Sequence, residues 1–159
     1  MDRIISLDNL EKVLKKIRSE KKSVVFVGGC FDILHRGHIK FLKESKRFGD
    51  ILIIALEHDE NVRRLKGNTR PFQKQLERAE ILSSLRFVDY VLALPPMNKY
   101  SEYESLVETI RPDAVSMTEG DIHIAEKKEQ GEKVGAVAHI IPKTQTLSTS
   151  ELAKKVGLE

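Results

Sequence analysis

Residues 51–56 read Ile-Leu-Ile-Ile-Ala-Leu, six apolar side chains in a row with no polar position among them. A strand alternates its side chains between two faces, so this run has no face to offer to water. It must be covered on both sides, as in a parallel sheet sandwiched by helices. Other short runs have the same character. SVVFVGG at 23–29 reads as the strand before it, and VDYVLALPP at 88–96, DAVSM at 113–117 and AVAHII at 136–141 as three more. Two prolines stop the third strand of this series.

The segments between these runs carry helical periodicity. Leu7, Leu10, Val13, Leu14 and Ile17 form an apolar stripe in the opening helix. Residues 38–48 form a second helix with Ile39, Leu42 and Phe48 inward, ended by Gly49-Asp50. A third spans 74–87, with Leu76, Ala79, Ile81, Leu82 and Leu85 available to a core. Residues 100–112, 124–134 and 148–156 complete the series, the last opened by Ser148 and Glu151 at capping-box spacing. Residues 57–72 read as a polar, basic connection. Strands alternating with helices of this length are βαβ units, and right-handed crossovers wind them into an open sheet. The expectation is an α/β fold, a doubly wound, mostly parallel five-stranded sheet with helices on both faces, as one domain over 1–159.

Composition narrows the function. The chain has 159 residues, 40% hydrophobic and 32% charged, with a net charge of +3. That balance suits a globular domain and an anionic small ligand, and there is no tryptophan platform or strongly basic face for nucleic acid. Cys30 is the only cysteine, which excludes an internal disulfide and a Cys-rich zinc site and fits a reducing compartment. The N-terminus lacks the apolar core of a signal peptide, and no run nears the roughly 18 residues of a membrane span. A cytoplasmic location and no membrane partner are therefore expected.

In open parallel sheets ligands bind beyond the carboxyl ends of the strands. The stretch GGCFDILHRGHIKFL, residues 28–42, leaves one strand there and enters the next helix. Gly28 and Gly29 let a ligand approach the backbone, and Gly37 opens the helix mouth, where free N–H groups and the dipole favour an anion. His35 and His38 bracket that opening and could stabilise charge on a phosphoryl group. No Gly-Lys-Ser/Thr follows, no Gly-x-Gly-x-x-Gly is present, and the histidines lack His-Glu-x-x-His spacing. A phosphate-binding loop of the kinase type, a dinucleotide fingerprint and a zinc helix are thus set aside, and no metal ligand is assigned.

GGCFDILHRGH resembles the nucleotidyltransferases with a His-x-Gly-His motif, a group that includes cytidylyltransferases and heptose-1-phosphate adenylyltransferases. LKESKRFGDILIIAL is similar to the helix and strand that follow in that family, NVRRLKG to its basic loop, LERAEILSSLRFVDYV to its next helix and strand, and TLSTSEL to its C-terminal phosphate motif. The resemblance implies a Rossmann-like fold and transfer of a nucleoside monophosphate from an NTP, ATP or CTP, to a small phosphorylated acceptor. Pyrophosphate leaves, and Mg²⁺ is carried mainly by the phosphates. His35, His38 and Lys66 take the catalytic roles. Gly28, Gly29, Cys30, Phe31, Asp32, Gly37, Lys46, Arg78, Gly120, Asp121, Ser148, Thr149 and Ser150 are the expected nucleotide and phosphate contacts. A homodimer is compatible with the resemblance.

The match departs from the family pattern in acceptor-facing places. Gly28 stands where adenylyltransferases carry Asn, Thr118-Glu119-Gly120-Asp121 where Lys-Gly-Gly-Asp is usual, and Lys143 where cytidylyltransferases carry Arg. A sugar 1-phosphate such as heptose 1-phosphate is the expected acceptor. The alternatives are cytidylyl transfer to glycerol, choline or ethanolamine phosphate, adenylyl transfer to FMN, or a nucleotide-binding module with impaired catalysis.

Overall fold

A computed structural model describes residues 3–158. Its single sheet has six strands in the order β1-β4-β3-β2-β5-β6, and every neighbouring pair runs parallel. In chain order the elements are β1 (Ile4–Ile5), α1 (Leu7–Ser19), β2 (Val24–Gly29), α2 (Arg36–Ser45), β3 (Ile51–Leu56), α3 (Asp59–Lys66), α4 (Gln75–Ser83), β4 (Tyr90–Ala93), α5 (Tyr100–Ile110), β5 (Ala114–Thr118), α6 (Ile124–Lys133), β6 (Val137–Ile141) and α7 (Thr149–Lys155).

The all-apolar strand is β3, and its alternation divides the core in two. Ile51, Ile53 and Ala55 face Leu10, Val13, Leu14 and Ile17 of α1 and Leu106 and Ile110 of α5. Leu52, Ile54 and Leu56 face Phe41 and Leu42 of α2 and Ala79 and Leu82 of α4. A third, smaller cluster lies under α6, where Ile124 and Val134 pack on Val115 and Met117 of β5. Among the described residues no helix is long and apolar enough to cross a membrane.

The structure corrects the expected element list in four places. There are six strands, not five, because Ile4 and Ile5 pair with Val91 and Leu92 of β4. Two residues carry no period, so a strand this short leaves no trace in the sequence. Residues 59–66 form α3 within the expected connection; His58 caps its start by accepting the Glu60 N–H, and only Asn61 and Val62 are buried. The second helix begins at Arg36 and ends at Ser45, and a 3-10 turn, Lys46–Phe48, follows. Finally, Phe48, Leu76 and Ile81 lie on the surface, at 39%, 64% and 37% exposure. Phe48 instead stacks on His139 at 3.7 Å.

The inward row of α4 contains Arg78, Ala79 and Leu82, so its core contact is narrower than the apolar residue count implies. Leu82→Ala, at 0% exposure, is expected to destabilise by about 2–5 kcal/mol. Leu76→Ala is expected to cost less than about 0.5 kcal/mol. Denaturant unfolding with an unchanged slope separates the two.

Candidate functional site

The order of the strands reverses at β2. The chain builds outward from β2 to β3 and β4 on one side, then returns to place β5 and β6 on the other. The connections at the carboxyl ends of β2 and β5 therefore diverge and leave a crevice between them. Residues 30–35 leave β2 there and turn into α2.

His35 is the N-cap of α2, its Nδ1 accepting the Gly37 N–H at 3.0 Å. With Nδ1 used as an acceptor, the neutral ring carries its proton on Nε2. His38 stacks on it with ring centroids 3.8 Å apart, and the Phe31 ring meets His38 edge-on at 5.4 Å. His38 Nδ1 is buried with no hydrogen-bond partner. Burial, and then the neighbouring His35, push His38 down to about 3, and burial also lowers His35. Both rings are therefore neutral near pH 7.

Two close approaches explain two of the glycines. A Cβ on Gly29 would lie 2.9 Å from Phe31 Cε2, and one on Gly37 would lie 2.9 Å from His35 Cε1 and 3.1 Å from Thr146 Cγ2. The turn between them is strained: Phe31 and Ile33 have φ of 46° and 50°, a left-handed conformation that L side chains rarely adopt.

Asp32, between those two residues, holds the turn in place. It is 2% exposed and accepts from Arg70 Nε at 2.8 Å, from the Phe72 N–H at 3.0 Å and from the Gln73 N–H at 3.2 Å. Its carbonyl accepts from Thr149 Oγ1 at 2.8 Å, and Arg70 Nη1 donates to Ser150 Oγ at 3.4 Å. The Ser/Thr segment thus docks the start of α7 against the histidine turn. Ser148 forms the expected capping box with Glu151.

Other expected site residues have protein partners. The Arg78 side chain is 0% exposed; it donates to Cys30 O at 2.5 Å, Gln73 O at 3.0 Å, Glu57 O at 2.9 Å and Asp59 Oδ1 at 2.7 Å. It ties the ends of β2 and β3 to the start of α4. Phe31 belongs to the core, and Gly28 lies in β2 opposite Ala55. Lys46 is corrected outright: it pairs with Asp89 at 2.6 Å and with the Asp50 carbonyl, where β3 begins, at the far end of the sheet from the crevice. Its position on a helix face among other lysines gave no sign of that direction.

Lys66 ends α3, exposed, and its charge acts to lower both His38 and Cys30. Burial and Glu57 raise the Cys30 thiol, and Lys66, Arg78 and Lys127 pull it back without reversing the rise. On the β5 side, Gly120 and Asp121 form a turn, with the Asp121 N–H donating to Thr118 O at 3.1 Å. Asp121 accepts from the His123 N–H at 2.8 Å and from Lys127 Nζ at 2.5 Å. Burial raises its carboxyl, but Lys127 and the His123 N–H outweigh it and hold it below the ordinary value.

Sequence reasoning passed over Arg70, Thr146, Gln75 and Lys127. Gln75 donates to Leu56 O at 3.0 Å and Leu94 O at 2.8 Å, and so caps two strand ends. Arg70-Pro71-Phe72 did carry a signal, a proline-stiffened turn with an aromatic, on which the Arg70 guanidinium lies 4.6 Å from the ring centroid.

A family model described as cytidylyltransferase-like matches residues 26–155. Bifunctional protein HldE of Wolinella succinogenes is 39% identical over 155 residues, covering 98% of this chain and 31% of that protein. Its counterpart of the same name in Geobacter sulfurreducens is 36% identical over 159 residues, covering 97% and 31%. The chain thus spans less than a third of the length of these relatives. Among solved structures, the lipopolysaccharide core biosynthesis protein of Thermoplasma volcanium is similar with TM-score 0.62 and 28% identity, covering 79% of this chain and 99% of that one. Pantoate-beta-alanine ligase of Francisella tularensis shares the fold with TM-score 0.63 at 20% identity, covering 96% and 73%.

Two outcomes follow from this geometry. Arg70→Met leaves the Asp32 carboxylate buried without its cation and is expected to cost about 3–5 kcal/mol. Adding Asp32→Asn to it should recover part of that loss in denaturant unfolding, and equal stability of the single and double variants would refute the coupling. Second, unfolded histidine titrates near 6.5 and folded His38 at about 3, so between those values the unfolded chain binds the extra proton. Stability from this site is intact above pH 6.5 and falls as the pH drops through that window. His38→Gln is expected to flatten the pH dependence of the unfolding midpoint there; an unchanged slope would count against a neutral, buried His38.

Proposed function

The chain belongs to the cytidylyltransferase-like family of nucleotidyltransferases, and on that premise we propose that it transfers a nucleoside monophosphate, AMP in preference to CMP, from its triphosphate to a sugar 1-phosphate, with heptose 1-phosphate the best candidate. The observation that carries this reading is the stacked, neutral His35–His38 pair at the sheet's switch point, beside the mouth of α2.

In the reaction an oxygen of the acceptor's phosphate attacks the α-phosphorus, the bond from that phosphorus to the β-phosphate bridge breaks, and pyrophosphate leaves. The displacement is direct and needs no covalent enzyme intermediate, so the protein's part is positioning and electrostatic stabilisation. His35 donates from Nε2 toward the anionic oxygens. His38, beside it and without a protein partner at Nδ1, has hydrogen-bonding capacity to offer the α-phosphoryl group. The anion raises the proton affinity of both rings, and stacking at 3.8 Å favours a single charge between them. Lys66 adds a mobile point charge from the end of α3. Among the described residues no group of three or more His, Cys, Asp or Glu could cage a metal ion. Mg²⁺ would be carried on the triphosphate, as the family likeness implies, and would neutralise phosphate charge there.

The acceptor assignment rests on likeness to the HldE proteins and to the Thermoplasma protein. The test is pyrophosphate release from ATP or CTP with Mg²⁺ and a panel of phosphate monoesters. Release with ATP and a sugar 1-phosphate is expected. Release with CTP alone would move the reading to cytidylyl transfer, and no release with any pair would leave a binding module. His38→Ala is expected to lower kcat by about 10²–10³-fold, the effect of losing one transition-state donor, with the fold intact by circular dichroism. Near-normal turnover would remove His38 from the mechanism.

A further inference from the structure

Nucleotidyl transfer brings two separately bound anions together, a triphosphate and an acceptor phosphate, and each needs its own cation. Three candidate cations are committed elsewhere. Arg78 has all its donor nitrogens on protein acceptors, Arg70 is paired with Asp32, and Lys46 is at the far end of the sheet. Lys66 ends α3, the helix that follows β3.

On the β5 side, the connection after the strand carries two carboxylates, Glu119 and Asp121, an arrangement that would repel a phosphate. The cation that offsets them comes from the next element. Lys127 lies in the first turn of α6, which is anchored on β5 so closely that a Cβ on Gly131 would lie 2.7 Å from Val115 Cγ2. Its ammonium reaches back 2.5 Å to Asp121 Oδ2, and both side chains stay partly open to solvent, at 32% and 22%. Asp121 in turn bonds through its N–H to Thr118 O at the carboxyl end of β5, so the Lys127 ammonium is held beside the switch point. Asp121 does not need Lys127 to hold its place, because its other oxygen accepts the His123 N–H. An ammonium has three donors, so Lys127 can keep Asp121 and take a phosphate oxygen as well.

We propose that Lys127 binds the phosphate of the acceptor on the β5 side of the crevice, with Asp121 as the partner that holds it there between turnovers. This rests on the transferase reading above and adds the location of the acceptor's phosphate. Sequence motifs could not point to it, because Lys127 is one of several lysines on a polar helix.

The test uses the full chain and two ligands measured separately by calorimetry: Mg²⁺ with a non-hydrolysable ATP analogue, and inorganic phosphate added to the analogue-saturated protein. In Lys127→Met, phosphate affinity is expected to fall at least about tenfold, the size of a lost charge-assisted hydrogen bond, with the ATP analogue within about twofold of wild type. Lys127→Arg should restore most of the phosphate affinity. In turnover, the same loss should appear in KM for the acceptor more than in kcat. Unchanged phosphate affinity in Lys127→Met, or an equal loss of the ATP analogue, overturns the proposal. Failure of the wild-type chain to release pyrophosphate with any acceptor overturns the transferase reading instead, and the calorimetric result then assigns Lys127 to an anion site without a transfer role.

Discussion

Asp32 and Arg70 meet at 2.8 Å with side chains 1% and 4% exposed, and the turn that carries the histidines depends on that contact. Taking both charges out of water is costly, and the pair is tolerable only because the remaining lone pairs of Asp32 accept the N–H groups of Phe72 and Gln73. The result is more than a local bond. Asp32 sits between two residues held at positive φ, so the same carboxylate that joins two loops also holds a backbone conformation that Phe31 and Ile33 would not adopt alone. Its carbonyl carries the constraint on to Thr149 and the start of α7. A phosphate contact for Asp32 is excluded by these partners and would in any case bring together two negative charges.

The sheet explains why this turn stands at the switch point, where ligands of open parallel sheets bind. With β2 at the point of reversal, its connection runs toward α2 while that of β5 runs toward α6, and nothing from the sheet fills the gap between them. Arg78 then stabilises the opening from below. Four acceptors, three of them backbone carbonyls, converge on one guanidinium. A lysine could not replace it, since the planar fork reaches several carbonyls at once where an ammonium is a point charge.

Most of the architecture was legible because burial imposes it on composition. A strand covered on both faces must be apolar throughout, as β3 is, and the stripe of α1 and the apolar runs of β4 and β5 obey similar constraints; β6, at the sheet edge, leaves Val137 and Ile140 exposed in spite of its apolar run. The parts that were not legible share a cause. β1 and α3 are fixed by partners far along the chain, Val91 for the one and the Met97–Tyr103 region around Asn61 for the other. Period analysis sees only neighbours. At the site, the residues of GGCFDILHRGH were readable as a group, but their division of labour was not. Whether an Asp or an Arg near a phosphate loop faces the ligand or another side chain depends on tertiary contacts, and here Asp32 and Arg78 both face inward.

That inward commitment decides the electrostatics of the crevice. A triphosphate site is expected to bristle with permanent cations, yet the two arginines that brace the histidine turn, Arg70 and Arg78, are paired inside the protein. At the β2 mouth stand a neutral imidazole pair and the exposed Arg36 between them, with Lys66 at the end of α3 and Lys127 on α6. A neutral donor interacts weakly with a resting, Mg²⁺-screened phosphate and more strongly as charge concentrates on the α-phosphoryl oxygens. A fixed cation would attract both states almost alike. On the proposed reaction, burial keeps His38 neutral while the site is empty, and a bound anion raises its proton affinity, so the pair would act as hydrogen-bond donors and not as a permanent cation.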